Sequence, residues 1–312
     1  MALKNEIDNH FIIFIDWGTT NFRAYKFHLK KNKVFEKIES NKGILNIKNK
    51  SEYIRILKQT LKKFQLKKNY NILMAGMVGR KKGLYEAPYV RVPTTLKKIA
   101  LKIINKKILN IQIKIIPGLV CKKNNLYDVI RGEETLAIGA IEKLKVKGFS
   151  YLCCPGTHSK WLTIYNNKIR YFSTYMSGEL YSAIGKGTIL SQSLKYKSPK
   201  FSKIFFNKGL SLIKKDYSLP NILFKIRTMD IFKQNNASQR NSFLSGLIIG
   251  SEINEISKQK NISKSNIILV ASGPLTKFYS LSLNFYKIKF NLVKADSCFI
   301  TGMKKIYESS YK

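Results

Sequence analysis

One short stretch near the start of the chain limits the folds available to it. Residues 11–15 are an unbroken run of aromatic and β-branched residues, which is typical of a strand buried on both faces of a sheet. Asp16 ends this run, and Gly18 follows where the backbone can turn and come close to a ligand. Thr19 and Thr20 then place hydroxyl donors in the turn. The pattern predicts a strand, a tight turn suited to phosphate oxygens, and a second strand, with Asp16 placed to hold the accompanying metal ion.

The same pattern occurs again about half a chain later. Residues 149–154 form another apolar run, and a Gly156-Thr157 turn and a further strand pattern follow it. One such turn is often only an ordinary hairpin, but two copies suggest two similar halves with a phosphate group between them. We therefore expect two domains, residues 1–145 and residues 146–312, which is a natural division for a chain of this length.

The composition is strongly basic, with 57 Lys and Arg against 18 Asp and Glu and a formal net charge of +39. Taken alone, this charge favours a protein that binds nucleic acid or an anionic membrane surface, which is the competing interpretation from another functional class. The lysines, however, are dispersed along the whole chain rather than clustered with aromatic residues. We therefore expect no specific nucleic-acid partner, although the charge favours small anionic ligands such as a nucleotide or a sugar acid.

The cysteines and the apolar runs indicate the compartment. The four cysteines have the spacing of neither a zinc site nor a disulfide framework, and Cys153 and Cys154 are adjacent in a predicted buried strand. Buried thiols in a reducing environment are expected. No apolar run approaches membrane-spanning length, and Asp8 and Asn9 lie close to the first apolar run, which argues against a signal peptide. These features predict a cytoplasmic protein with no membrane partner.

Several motifs, in order along nearly the whole chain, resemble one family. The two turns and Val270–Leu275 resemble the phosphate 1, phosphate 2 and adenosine motifs of the sugar kinase, actin and heat-shock ATPase superfamily. Within it, five further segments resemble the 2-dehydro-3-deoxygalactonokinase family: residues 76–80, 86–89, 131–135, 155–161 and 176–180. The resemblance implies an α/β fold of two ribonuclease-H-like domains, as in actin-like ATPases, with an interdomain nucleotide and substrate cleft.

The resemblance also implies an activity. It predicts ATP-dependent phosphorylation of 2-dehydro-3-deoxy-D-galactonate to its 6-phosphate, with ATP and Mg²⁺ as cofactors and the sugar acid as the small-molecule partner. The alternative is a kinase of the same fold that acts on another sugar or sugar acid. The sequence allows a homodimer without requiring one. Residues 186–240, rich in Lys, Ser and Asn, are expected to form a helical insertion.

Candidate catalytic residues lie in the first turn and in a helix expected within residues 128–145. In related kinases a catalytic Asp follows a Gly at the start of such a helix, and here Glu133 takes its place after Gly132. Glu instead of Asp leaves open whether Glu133, Glu134 or Asp16 accepts the hydroxyl proton. A favourable charge at the helix N-terminus would also explain both glutamates. Residues expected to contact the nucleotide are Gly18, Thr19, Thr20, Arg23, Gly156, Thr157, His158, Lys160, Ser272 and Gly273.

Arginine is scarce in this chain, with only eight among the 57 basic residues, which makes Arg80 and Arg91 conspicuous. A retained Arg suggests bidentate contact with a carboxylate, such as that of a sugar acid, while a surface or domain-closing salt bridge explains it equally well. His158, beside the second turn, is interpreted as structural, with contact to the transferred phosphoryl group as the alternative. The other expected substrate contacts are Gly76, Tyr89 and Glu179.

Overall fold

The computed structural model describes residues 10–65, 70–108, 111–194, 200–259, 262 and 265–311. Contacts divide the chain into two compact units: unit one comprises Met1–Lys147, Tyr165–Phe172 and Asp296–Lys312, and unit two comprises Gly148–Ile164 and Ser173–Ala295. The chain first passes from unit one to unit two close to the predicted boundary after residue 145, but two later segments return to unit one. Asp8 and Asn9, on which the argument against a signal peptide rests, lie outside the described residues.

The first part of the chain builds two sheets and three helices. Its elements, in chain order, are β1 (Phe11–Trp17), β2 (Phe22–His28), β3 (Lys33–Ser40), α1 (Lys50–Lys63), β4 (Asn71–Gly76), β5 (Tyr89–Arg91), α2 (Leu96–Ala100), β6 (Ile104–Ile108), β7 (Ile111–Ile115), β8 (Gly118–Lys123), β9 (Leu126–Ile130) and α3 (Glu133–Leu144).

The remaining elements follow in the same way: β10 (Phe149–Cys154), β11 (Ser159–Tyr165), β12 (Lys168–Tyr175), α4 (Ser177–Gly187), α5 (Lys203–Lys214), α6 (Leu219–Ile231), α7 (Ala237–Ser257), β13 (Asn266–Ala271), α8 (Pro274–Phe285), β14 (Phe290–Lys294) and α9 (Ala295–Ser309). The helical character predicted for residues 186–240 is confirmed where they are described, because α5 and α6 lie there; residues 195–199 lie outside the described residues. That this segment is an insertion stays a prediction.

A six-stranded sheet with the order β3-β2-β1-β4-β7-β6 forms the centre of unit one, and β5, β8 and β9 form a second, smaller sheet. Strand β1 runs antiparallel to β2 and parallel to β4, so it lies inside the sheet. The side chains from Ile12 to Ile15 are fully buried, which confirms the prediction of a strand buried on both faces. Because this run is buried in the core, it fixes the position of Asp16 near the carboxyl end of β1.

Helix α9 packs against α3 within unit one at two glycines. A Cβ atom on Gly139 would stand 1.8 Å from the Cys298 carbonyl oxygen, and one on Gly302 would stand 2.0 Å from the Thr135 carbonyl oxygen. Only glycine permits such close helix backbones. The packing therefore fixes the orientation of α3, whose first turn carries Glu133.

Strands β10, β13 and β14 of unit two belong to a five-stranded sheet with the order β12-β11-β10-β13-β14. Helices α5 and α7 cross closely, since a Cβ atom on Gly246 would stand 2.1 Å from the Phe206 carbonyl oxygen. The four cysteines are buried and take part in no disulfide bond, as predicted. Among the described residues, no helix is both long enough and apolar enough to cross a membrane.

Candidate functional site

Two parallel strands of unit one end side by side. In the β1–β4 register, Asp16 pairs with Ala75 and Trp17 pairs with Gly76. Because ligands of α/β folds collect at the carboxyl ends of parallel strands, Asp16 stands at the edge expected to bind them. Gly76 has a φ of +89°, and a Cβ atom there would lie 2.7 Å from the Trp17 carbonyl oxygen. The backbone therefore requires glycine at this position.

The turn after β1 is held in place by a neighbouring loop. Gly18 N–H donates to the Asn21 carbonyl at 2.9 Å, which closes the turn. The carbonyls of Gly18, Thr19 and Thr20 in turn accept bonds of 2.9–3.1 Å from the backbone N–H groups of residues 43–45. These bonds fix the backbone of the turn, and its contact with phosphate stays a prediction.

Asp16 lies in a mixed electrostatic environment. Its Oδ2 accepts a bond of 3.1 Å from Arg23 Nη1, and Arg23 Nε also donates to Glu39 at 2.8 Å. Burial raises the pKa of Asp16 to about 6, with the Arg23 charge acting against this and the Glu133 charge adding to it. Arg23, predicted to contact the nucleotide, is thus paired with two carboxylates in the structure.

The start of helix α3 meets the end of β4. Gly132 has a φ of +119°, and a Cβ atom there would stand 3.4 Å from the Gly76 Cα. Glu133 is half-buried, and its Oε2 accepts a bond of 3.2 Å from the Arg131 backbone N–H. Because Glu133 also influences the pKa of Asp16, these two carboxyl groups lie within electrostatic reach of each other. The structure thus brings Asp16, Gly76 and Glu133 together.

Glu134 has a different environment from its neighbour. Its side chain is completely buried, and both carboxyl oxygens accept bonds from the Gly132 backbone N–H, at 2.9 and 2.7 Å. Burial raises the pKa of Glu134 to about 7, and the Glu133 charge contributes to the rise. This arrangement closes the first turn of α3 with a carboxyl group that solvent does not reach.

The predicted sugar-acid residues lie near this edge. Arg80 follows a short helical turn at residues 77–79, and its Nε is buried without a hydrogen-bond partner in the part of the chain that the structure describes. Tyr89 stacks under the guanidinium of Arg131, 4.3 Å from the ring centroid. Arg131 itself is buried and donates to the Ala87 carbonyl at 2.8 Å. In the sequence, Arg131 belongs to the motif at residues 131–135, and the scarcity of arginine marks it as clearly as Arg80.

In unit two, the turn between β10 and β11 contacts the start of α4. A Cβ atom on Gly178 would stand 2.7 Å from the Gly156 carbonyl oxygen, and the Glu179 N–H donates to the Thr157 carbonyl at 3.0 Å. The His158 Nε2 atom hydrogen-bonds the Glu179 carboxylate. Lys160 Nζ donates to the His158 carbonyl at 2.8 Å. Glu179, predicted on the substrate side, therefore lies with residues predicted to contact the nucleotide.

A cavity of about 190 Å³ opens beside this turn within unit two. Gly156 and Gly178 form one side, and Phe201, Leu275 and Phe278 supply much of the apolar surface. Ser272 and Gly273 directly precede α8, which carries Leu275 and Phe278. Gly273 has a φ of +66°, so it requires glycine for its conformation. Such aromatic and aliphatic walls suit a flat, largely apolar group.

Metal binding was tested against the same residues. Among the described residues, no three His, Cys, Asp or Glu side chains form a cluster suited to a metal ion. Mg²⁺ is often bound by only one or two carboxylates together with phosphate oxygens and water. Asp16, partly exposed and with Glu133 nearby, fits that smaller requirement.

Comparison with known proteins gives consistent matches. Residues 16–306 match the family model described as 2-keto-3-deoxy-galactonokinase. The chain is 30% identical to a protein of Rhizobium meliloti (strain 1021) named as a probable 2-dehydro-3-deoxygalactonokinase, over 93% of this chain and 94% of the relative. It is also 30% identical to 2-dehydro-3-deoxygalactonokinase of Escherichia coli (strain K12), over 94% and 96%. A crystal structure from Sinorhizobium meliloti with the same enzyme name superposes with a TM-score of 0.88 at 28% identity, covering 95% of this chain and 96% of the other.

Proposed function

The chain is a member of the 2-keto-3-deoxy-galactonokinase family, and we propose that it transfers a phosphoryl group from ATP to the 6-hydroxyl of 2-dehydro-3-deoxy-D-galactonate. It is a carbohydrate kinase with the α/β fold of two ribonuclease-H-like domains that actin-like ATPases share. The observation that carries the proposal is the meeting of Asp16 and Glu133 at one sheet edge of unit one. The family match does not favour the alternative of a different sugar substrate.

Glu133 is the proposed base that accepts the hydroxyl proton of the sugar acid. Phosphoryl transfer depends mainly on the positions of the reacting groups and on charge stabilisation. A single well-placed carboxylate is therefore enough to accept the proton of the attacking hydroxyl. Glu133 is half-buried in the first turn of α3 and near Asp16, whereas the carboxyl of Glu134 is enclosed. In this proposal Glu134 holds the Gly132 backbone and thereby positions Glu133.

Asp16 is the proposed ligand of Mg²⁺, with Glu133 near enough to contribute. One of its oxygens is bonded to Arg23, which leaves Oδ1 for an ion or an ion-bound water. A divalent cation would favour the ionised form of Asp16 and oppose the rise of its pKa that burial causes. When bound, the ion supplies positive charge that neutralises the phosphate oxygens.

Unit two is proposed to bind the nucleotide. The apolar cavity would take the adenosine, and Ser272 and Gly273 directly precede α8, which lines it; the turn at Gly156 and Thr157 would bind phosphate oxygens. His158 and Lys160 flank that turn and add positive or donor groups to it. In unit one, Gly18, Thr19 and Thr20 form the second proposed phosphate-binding turn.

Arg80 is proposed to bind the carboxylate of the sugar acid. Its half-buried side chain has an unsatisfied Nε, and a guanidinium matches a carboxylate with two parallel hydrogen bonds. Gly76, the last residue of β4, and Tyr89, the first residue of β5, complete this proposed acceptor side. Glu179 remains a proposed substrate contact through its exposed carboxylate, which His158 orients.

The proposal is tested by ADP release from ATP with a panel of acceptors. We expect kcat/KM for 2-dehydro-3-deoxy-D-galactonate to be about tenfold or more above that for three other acceptors. These are D-galactonate, the epimer 2-dehydro-3-deoxy-D-gluconate, and glucose. Asp16→Asn protein serves as the control for contaminating kinases. Turnover of glucose without turnover of the 2-keto-3-deoxy acid would contradict the proposed substrate.

A further inference from the structure

Glu252 of α7 is a buried carboxylate that the proposed reaction does not use. Its side chain is 2% exposed, and four side chains donate hydrogen bonds to it. Oε1 accepts bonds of 2.7 Å from Ser159 Oγ and from Trp161 Nε1. Oε2 accepts a bond of 2.8 Å from the Tyr279 hydroxyl and a short bond from Ser177 Oγ. Each carboxyl oxygen is therefore shared by two donors.

The chemistry of this cluster makes the carboxylate hard to replace. Burial raises the pKa of Glu252, whereas the four hydrogen bonds favour its ionised form. The indole of Trp161 can only donate, so an acceptor is required at Oε1. If the acceptor is lost, several buried donors are left unsatisfied, and each carries a desolvation penalty.

The four donors come from three elements that form the proposed nucleotide site. Ser159 and Trp161 lie on β11, directly after the Gly156-Thr157-His158 turn. Ser177 is the first residue of α4 and Tyr279 lies on α8, and both of these residues line the cavity. Helix α4 also contacts the turn itself, through Gly178 and the Glu179 N–H.

We propose that Glu252 is a positioning residue for nucleotide binding, which holds the 156–158 turn, the start of α4 and the face of α8 in one fixed arrangement. This inference rests on the proposed function, because it assigns the nucleotide to unit two. Glu252 is not among the residues that line the cavity, so it acts through Ser159, Ser177 and Tyr279 and does not itself touch the nucleotide.

The central experiment compares Glu252→Gln with the wild-type protein. Glutamine has nearly the same size as glutamate, but an NH₂ group replaces one of its two accepting oxygens. The two donors that share that oxygen then face another donor and lose their acceptor. We expect calorimetric titration with ADP to show a Kd raised about tenfold or more. In turnover, the KM for ATP should rise similarly while the KM for the sugar acid changes by less than about twofold.

Glu255→Gln is the matched control. Glu255 lies one turn further along the same helix, is exposed, and accepts a bond of 2.9 Å from the Tyr175 hydroxyl. This variant should bind ADP within about twofold of the wild-type Kd. An equal loss of ADP affinity in both variants would mean that any change of charge on α7 suffices, and would overturn the inference.

Trp161 gives a direct optical report of the cluster. The chain has two tryptophans, so a Trp17→Phe background leaves Trp161 as the remaining tryptophan, which is excited selectively at a wavelength that the tyrosines do not absorb. Adding Glu252→Gln to that background should shift the Trp161 emission, because the indole loses its carboxylate partner. A shifted emission with unchanged ADP affinity would show that the cluster is structural only, and would overturn the positioning role.

Ser159→Ala decides the question if Glu252→Gln does not fold. Ser159 is fully buried and outside the cavity lining, so its loss removes one donor beside the turn with little change in volume. We expect its Kd for ADP to rise about threefold or more. Wild-type affinity in this variant would contradict the inference, whereas failure of the wild-type protein to bind ADP would contradict the proposed function instead.

Discussion

Gly132 and Gly76 lie so close together that a Cβ atom on the first would stand 3.4 Å from the Cα of the second. Both residues have a positive φ, +119° and +89°. This contact joins the end of β4 to the beginning of α3, and so brings Glu133 to the sheet edge that carries Asp16. The proposed site of unit one is therefore built by backbone contact before any side chain takes part.

Gly132→Ala tests the importance of that contact. Side chains of L-residues rarely adopt a φ of +119°, so we expect a loss of about 1–3 kcal/mol in the free energy of unfolding in urea. Because α3 must shift, kcat should fall about 100-fold or more. Gly148→Ala is the matched control: Gly148 also has a positive φ, +67°, but a Cβ atom there would meet nothing within 4 Å. Equal kcat losses in both variants would argue against a role in positioning Glu133.

Asp16→Asn should separate activity from stability. Burial raises the pKa of Asp16 from 3.8 to about 6, so the folded state favours the protonated form and loses stability as pH rises through this range. The neutral amide does not titrate. We therefore expect the variant to gain about 1–3 kcal/mol relative to the wild type between pH 4 and pH 6, and to keep that gain at pH 8. Urea unfolding at pH 4, 6 and 8 measures this difference.

The same variant should lose turnover by about 1,000-fold or more, because the proposed Mg²⁺ ligand is gone. A variant that is less stable than the wild type at pH 8 would show that the Arg23 pairing outweighs the burial of the carboxylate. Retained turnover would contradict the role of Asp16 in holding the ion.

The sequence could predict the strands that carry the turns, because apolar runs such as Phe11–Ile15 give a strong local signal. It placed Glu133 in the first turn of a helix, which is where α3 begins, but it assigned residues 128–130 to the same helix, although they end β9. Here pairing of β9 with β8 overrides the local pattern, although Asn124 and Asn125, both with positive φ, mark the hairpin. Contacts between distant residues, such as Glu252 with Ser159, leave no local pattern in a single sequence.

Glu133→Gln and Glu134→Gln distinguish the two neighbouring carboxyl groups. If Glu133 is the base, its amide variant should retain its fold by circular dichroism and lose kcat about 100- to 10,000-fold. Glu134→Gln should lose about tenfold, because the amide keeps one acceptor for the Gly132 N–H but weakens the first turn of α3. Near-normal turnover in Glu133→Gln, or the reverse order of losses, would contradict the assignment of the base.

Gly139→Ala tests the packing of α9 on α3. The new Cβ atom would stand 1.8 Å from the Cys298 carbonyl oxygen, so the helices must separate, and we expect about 3 kcal/mol of destabilisation in urea. Gly185→Ala, in helix α4, is the control because a Cβ atom there meets nothing within 4 Å. It should be neutral or stabilise the protein by up to about 1 kcal/mol through helix propensity. Similar unfolding curves for both variants would contradict the close packing.

The close packing of Gly302 in α9 against Thr135 in α3 has a consequence for biosynthesis. A ribosome delivers α3 early, but α9 exists only after the whole of unit two has been translated. Until α9 is synthesised, the face of α3 that packs against it stays exposed, although unit two can already fold. Unit one therefore completes its fold only at the end of synthesis. Chains truncated directly after residue 295 and released from the ribosome should present a finished second unit beside an unfinished first one, which limited proteolysis of such chains would reveal.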